Sequence, residues 1–233
     1  MKLYSEHQRH LVAVDCIIFG YDILEKEIKL LLIKRSFEPA KGKWSLDGGF
    51  VKEKESLDDA AARILYKLTG LRDIYMEQSY TYGETERDPG ARVISTSYSA
   101  LIKIQDIDRE LRELNGAHWH SLTRLPHLIF DHSDMVSKAM NELQMQVKVK
   151  PVGFALLPEK FTLVQLQDLY EAIYQRTIDK RNFRKKILSM NILVKLDEKE
   201  RETSKKGAFY YKFNEERYEI HKKRGFFFSL DVN

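Results

Sequence analysis

Between residues 11 and 34 the chain carries two aliphatic and β-branched runs, LVAVDCIIFG at 11–20 and EIKLLLIK at 27–34, separated by a turn that holds the charged Asp22, Glu25 and Lys26. Apolar runs of that length with polar borders predict two strands. WSLDGGFV at 44–51 predicts a short strand entering a glycine turn. The period then changes. Leu57, Ala60, Ala61, Ile64, Leu65 and Leu68 recur at helical spacing, which predicts a helix over 56–69. Ser56 and Asp59 form a capping box at its start, and Gly70 stops it. Two further strands are predicted near 74–83 and 92–103. After AHWHSL and a turn at Pro126, a helix is predicted over 132–146 with Met135, Ala139 and Leu143 inward. Strands enclosing two helices give an α/β fold of the sandwich type.

Beyond KPVGFALLPEK the order becomes helix, turn, helix, hairpin. Thr162 caps a helix with Leu166, Leu169, Tyr170 and Ile173 on one face; Asp179 caps a second with an apolar stripe of Phe183, Ile187 and Leu188. ILVKL and AFYYKF alternate as strands around the charged loop DEKERETSKKG, predicting a β-hairpin. The change of pattern at Pro151 divides the chain into domains at 1–150 and 151–233.

Charge sharpens that division. The net charge of +4 is uneven: residues 1–150 hold 22 Lys and Arg against 23 Asp and Glu, a net of −1, and residues 151–233 hold 17 against 12, a net of +5. A basic C-terminal third fits a polyanion-binding module. The apolar runs are far shorter than the roughly 20 residues of a membrane span, and the N-terminus shows no export signal. With Cys16 the single cysteine, an intrachain disulfide and a cysteine-built zinc site are excluded. These features predict a cytoplasmic protein with no membrane partner.

Residues 49–71 hold the candidate chemistry. Gly49, Glu55, Arg63, Leu65, Gly70 and Leu71 stand at the offsets of the Nudix box, and the stretch resembles that family across residues 8–148. The resemblance implies a Nudix-type α/β/α sandwich and, in an active member, glutamates at 64, 67 and 68. Those positions hold Ile64, Lys67 and Leu68. At i, i+3 and i+4 three carboxylates would share one helix face and hold Mg²⁺ against a diphosphate. Alkyl groups and an ammonium supply no oxygen ligand, so the expectation is a Nudix fold with no catalytic residues, no metal, no cofactor and no enzyme activity. The surviving Gly49 and Gly70 are read as serving backbone conformation, and Glu55 with Arg63 as a structural ion pair. A relocated metal site would have to come from Glu53, Glu55, Asp58 and Asp59, or from GETERD at 83–88. His118, His120, His127 and His132 show no three-ligand metal spacing; the first two share a strand face, which reads as packing or surface.

In the basic third, Lys180, Arg181, Asn182, Arg184 and Lys185 lie around the N-terminal and outer surface of the second helix, as in a recognition helix entering the major groove. Lys205 and Lys206 in the hairpin loop would lie over phosphates as a wing. A degenerate Nudix domain followed by this winged helix-turn-helix pattern resembles the Nudix-related transcriptional regulators of bacteria. The resemblance implies a homodimeric repressor binding operator double-stranded DNA, with a small-molecule effector in the former substrate cleft. One branch (NrtR) senses ADP-ribose and controls NAD metabolism; another (AraR), from Bacteroidetes, senses L-arabinose. The lost glutamates favour a pentose sugar, which needs no diphosphate-holding metal, with ADP-ribose as the alternative. Lys34, Trp44, Asp47, Tyr80, Tyr82 and Glu84 are the candidate ligand-binding residues, as polar groups and aromatic faces on strands bordering the box. The aromatic three also read as ordinary cross-strand packing.

Overall fold

The structure, a computed structural model, describes residues 6–72, 74–107, 113, 115–201, 207–226 and 228–230. It divides into two compact units, Met1–Gly20 with Lys29–Met140, and Tyr21–Ile28 with Asn141–Asn233.

In the first unit the predicted strands form one seven-stranded sheet. Its strands are β1 (Leu11–Asp22), β2 (Glu27–Lys34), β3 (Trp44–Ser45), β4 (Asp47–Phe50), β5 (Glu77–Tyr82), β6 (Val93–Lys103) and β7 (Ala117–Ser121). The path runs β3-β2-β1-β6-β5, with β4 on β1 and β7 on β2. Helix α1 (Leu57–Thr69) begins at Ser56, whose hydroxyl accepts from the Asp59 backbone N–H while Asp59 accepts from the Ser56 N–H. It ends at Gly70, whose φ of 71° is the left-handed conformation that glycine adopts without a Cβ penalty. Ala60, Ala61, Ile64, Leu65 and Leu68 pack against Val14, Cys16 and Ile18 of β1 and Leu31 of β2 in one apolar core. The alternating residues of β1, Ile17 and Phe19, are equally buried. A strand buried on both faces loses the polar alternation of a half-exposed one, which is why 11–20 reads as a continuous apolar run. Helix α2 (His132–Val149) buries Met135, Val136 and Ala139.

The second unit holds β8 (Phe161–Thr162), α3 (Leu163–Tyr174), α4 (Lys180–Ser189), β9 (Leu193–Glu200), β10 (Ala208–Phe213) and α5 (Glu215–Lys223). Thr162 and Gln165 form a complete capping box on α3, and the Asp179 carboxylate accepts from the Asn182 N–H on α4. Leu166, Leu169, Tyr170 and Ile173 are fully buried, with Tyr170 and Phe183 ring centroids 5.8 Å apart. The α4 stripe differs from the expected one: Phe183 and Ile187 are 0% exposed but Leu188 is 44% exposed. Phe183 and Ile187 are one helical turn apart on a single face, whereas Leu188 is rotated about 100° from Ile187. Met190 and Ile192, just past the helix, are buried instead. The strands form a three-stranded sheet in the order β8-β10-β9. The two-residue β8 and α5 were not anticipated. Helix α5 buries no residue, so it gives no apolar period to read, and its signals are the Asn214 cap and the acidic-to-basic gradient along it.

Phe183→Ala should destabilise the C-terminal unit by about 3 to 5 kcal/mol through loss of buried aromatic area and the cavity left behind. Urea unfolding followed by circular dichroism is expected to show that loss, whereas Leu188→Ala at the exposed position should change it by no more than about 0.5 kcal/mol.

Candidate functional site

A pocket of about 470 Å³ opens in the first unit where the β4 turn, the C-terminal half of α1, the 83–92 loop and the start of α2 meet. The register of β1 against β4 pairs Asp15 with Gly48. A Cβ at Gly48 would stand 2.3 Å from Asp15 Oδ1 and 2.8 Å from the Val14 carbonyl, so only glycine lets the turn pass over that carboxylate. Gly49 differs from its expected backbone role, since it is not among the positive-φ glycines; its α-carbon faces Ile64, whose Cδ1 would lie 3.4 Å from an added Cβ.

The pocket floor is a buried polar network. Asp15 Oδ2 accepts from Ser95 Oγ at 2.6 Å. Arg87, its side chain 4% exposed, donates to both carboxylate oxygens of Asp131 at 2.8 Å and lies 3.6 Å from Asp15. His132 Nδ1 accepts from the Leu46 N–H at 3.1 Å, which fixes the neutral ring's proton on Nε2, 3.9 Å from Asp15 Oδ1. Burial holds the His132 pKa below its ordinary value, against the pull of Asp15 and Asp131. Asp47 is 5% exposed, and its Oδ2 has no hydrogen-bond partner among the described residues. Burial pushes its pKa up to about 6, opposed chiefly by the positive charge of Lys67.

The walls carry cations. Lys34 and Lys67 are exposed on the lining, and the Arg35 guanidinium lies 4.0 Å from the Phe37 ring centroid and 5.8 Å from that of Phe130. Among the described residues none of the three forms an ion pair, and Arg35 Nε is buried without a hydrogen-bond partner. Glu55, by contrast, is consumed by Arg63, with contacts of 2.6 and 2.8 Å, and by the Lys52 N–H; the guanidinium draws its pKa down to about 2. Ile64 and Leu68 belong to the apolar core and Lys67 brings an ammonium, so the box does not fit a divalent cation. Two further acidic side chains near it are held by protein partners, Asp59 in the Ser56 cap and Asp58 on the Tyr98 hydroxyl.

Of the candidate ligand residues, Lys34 and Asp47 line this pocket; Trp44, Tyr80, Tyr82 and Glu84 do not. Trp44 packs edge-on against His118 and His120, with Lys34 Nζ 5.9 Å from its ring, and Tyr80 meets Tyr82 on β5 beneath Lys138. Glu84 offers its backbone carbonyl to Arg92. Sequence reasoning missed Asp15, Arg35, Arg87 and His132 as pocket residues. Arg87 lies within the stretch read for its acidic charge, and His132 within the set of histidines weighed as metal ligands. Asp15 carried a usable signal, one carboxylate inside a buried strand.

In the C-terminal unit, Lys180, Arg181, Asn182, Arg184 and Lys185 are all exposed on α4, on the surface not occupied by Phe183 and Ile187. On the hairpin, Lys195 and Lys199 lie 3.6 and 4.4 Å from the Phe209 ring centroid, giving a second basic surface. Lys205 and Lys206 fall outside the described residues.

The chain matches the NUDIX domain model over residues 9–139 and the NrtR DNA-binding winged helix domain model over 153–213. It is 30% identical over 213 residues to the ADPR responsive transcriptional repressor NtrR of Acinetobacter baylyi, covering 90% of this chain and 84% of that one. The chain belongs to the NrtR family of Nudix-domain regulators. The crystal structure of Shewanella oneidensis NrtR complexed with a 27mer DNA superposes with a TM-score of 0.74 at 29% identity, covering 87% of this chain and 93% of that one. The NUDIX domain of the same NrtR complexed with ADP ribose gives a TM-score of 0.50 at 29% identity, covering 61% of this chain and 94% of that one. An ADP-ribose pyrophosphatase of Methanocaldococcus jannaschii is 35% identical over 144 residues, covering 60% of this chain and 79% of the relative. The family assignment agrees with the winged helix-turn-helix and Nudix readings of the sequence. The arabinose-responsive branch finds no counterpart among these relatives.

The raised pKa of Asp47 has a stability consequence. A carboxyl whose folded pKa exceeds its unfolded one favours folding below about pH 4 and loses that contribution as pH rises through about 6. Asp47→Asn should therefore stabilise the chain by about 1 to 3 kcal/mol at pH 7.5 and flatten its stability between pH 4 and 6. Urea titrations across that range check it; a variant that is less stable at pH 7.5 would contradict the assignment.

Proposed function

We propose that this protein is a ligand-responsive transcriptional repressor that binds operator DNA as a homodimer through α4 and the β9–β10 hairpin, and that its Nudix-fold pocket takes ADP-ribose. The observation that carries the effector is the set of cations on the pocket wall, Lys34, Arg35 and Lys67, none of which forms an ion pair with a carboxylate among the described residues. Uncompensated cations in a partly enclosed site favour an anionic ligand, and a diphosphate meets several of them at once. Phe37 and Phe130 supply apolar ring faces of the kind a base requires, and Asp15 and Asp47 are acceptors suited to ribose hydroxyls. A volume of about 470 Å³ suits a dinucleotide-sized ligand. The family relatives that respond to or bind ADP-ribose support the same reading.

A pentose such as L-arabinose is the second reading, favoured by the floor. The unpartnered Asp47 Oδ2 beside Asp15 and the neutral His132 would serve an uncharged polyol, whose hydroxyls need acceptors more than cations. Catalysis is not part of the proposal. With Ile64 and Leu68 in the core and Glu55 held by Arg63, no carboxylate set among the described residues comes together to prepare a metal-bound water.

Two measurements test the assignment. In thermal shift experiments on the full chain, ADP-ribose should raise Tm by mass action and L-arabinose should not; a shift with L-arabinose alone selects the second reading, and no shift with either removes both effectors. In fluorescence anisotropy with an inverted-repeat operator duplex, Arg181→Ala or Arg184→Ala should weaken binding by about 1 to 3 kcal/mol if that side chain reads a base edge. Wild-type affinity in both variants at fixed salt would remove α4 from the DNA interface. Affinity should also fall steeply with added salt, as phosphate contacts require.

A further inference from the structure

We infer that Lys67 holds the anionic part of the effector directly, in the place where a diphosphate hydrolase uses a divalent cation, so that effector binding needs no metal. The inference rests on the diphosphate reading of the pocket, and it follows from what has replaced the metal site. Two of the three box positions are packed into the core, with Ile64 and Leu68 only 3% and 1% exposed. Most of the nearby carboxylates are held by protein partners: Glu55 has Arg63, Asp59 the Ser56 cap, Asp58 the Tyr98 hydroxyl and Asp15 has Ser95, which leaves Asp47 as a single carboxylate with one oxygen unpartnered among the described residues. Among the described residues no group of three or more His, Cys, Asp and Glu side chains comes together to hold a metal ion.

The third position took the opposite course. Lys67 is exposed, lines the pocket, makes no ion pair among the described residues, and acts electrostatically on Asp47 across it. An ammonium there repels a divalent cation and attracts the phosphoryl oxygens such a cation would have bound, so at this helix position it stands in for the metal. Lys67 also stands in the last turn of α1, where any cation is favoured by the helix dipole. That role bears on stability alone and leaves ligand affinity unchanged, so affinity distinguishes the two.

The test is calorimetric titration of the full chain with ADP-ribose, in EDTA and again with excess Mg²⁺, and with inorganic pyrophosphate in EDTA. The wild-type affinity for ADP-ribose should be the same in both buffers. Lys67→Met should lower it by about tenfold or more while Lys67→Arg stays within about threefold, and pyrophosphate should follow the same order. Melting temperatures of the variants, compared with wild type, report that the fold is kept. Affinity for ADP-ribose that rises with Mg²⁺, or that Lys67→Met leaves unchanged, overturns the inference. Pyrophosphate bound through Lys67 without any binding of ADP-ribose would remove ADP-ribose as effector and keep the role of Lys67. Failure of both anions to bind in EDTA overturns it, whichever sugar the pocket accepts.

Discussion

The seating of one face of α1 in the core beneath β1 and β4 is the constraint on which the rest of this site depends. Ala60, Ala61, Ile64, Leu65 and Leu68 bury together with Val14, Cys16 and Ile18, and burial of that much aliphatic surface is worth several kcal/mol by area alone, at about 25 cal/mol per Å². Once that face is fixed, the rotation of the helix is fixed too. Lys67 is carried to the pocket side, Arg63 is carried to where it closes on Glu55 and the Phe50 carbonyl, and Ile64 comes to face Gly49.

The same packing places two of the three box positions in the core while a cleft stays open beside the third. Glutamates at 64 and 68 would place charge against an apolar core, a cost that an active enzyme offsets with a bound cation. Ile64 and Leu68 bring no charge that would need offsetting, and both pack into the core. The cleft survives because other residues shape it: Gly48 allows the turn to pass over Asp15, and Arg87 ties the 83–92 loop to Asp131 just before α2. Asp47 remains inside with one oxygen unpartnered among the described residues, a buried acceptor that stability alone does not call for. Such a group is consistent with a site shaped for a ligand.

Most of the fold was legible in the sequence because local rules and tertiary packing agree along most of the chain. The Ser56–Asp59 box, the Gly70 stop, the Thr162 and Asp179 caps and the long apolar runs of β1 and β2 each announce an element through interactions made within a few residues. The element that escaped, α5, buries no side chain and so leaves no apolar period. Leu188 was misplaced for a related reason, because a stripe of three residues does not state which edge of the helix the core reaches.

The pocket was less legible, and the difference is physical. Lys34 and Asp47 flank the box in sequence and could be nominated from it, whereas Asp15, Arg87, Asp131 and His132 come from three separate parts of the chain and meet only when β1 is paired, the 83–92 loop folds inward and α2 docks. The aromatic residues chosen with them, Trp44, Tyr80 and Tyr82, sit on strands whose alternation and register take their rings elsewhere. What the sequence determined by itself was the set of local elements, the motif frame and the loss of the carboxylates, because these are matters of residue type at short spacing. Which cations lack a partner, and which carboxylate is buried with an oxygen to spare, only the tertiary structure decided, because charge compensation and desolvation depend on neighbours distant along the chain.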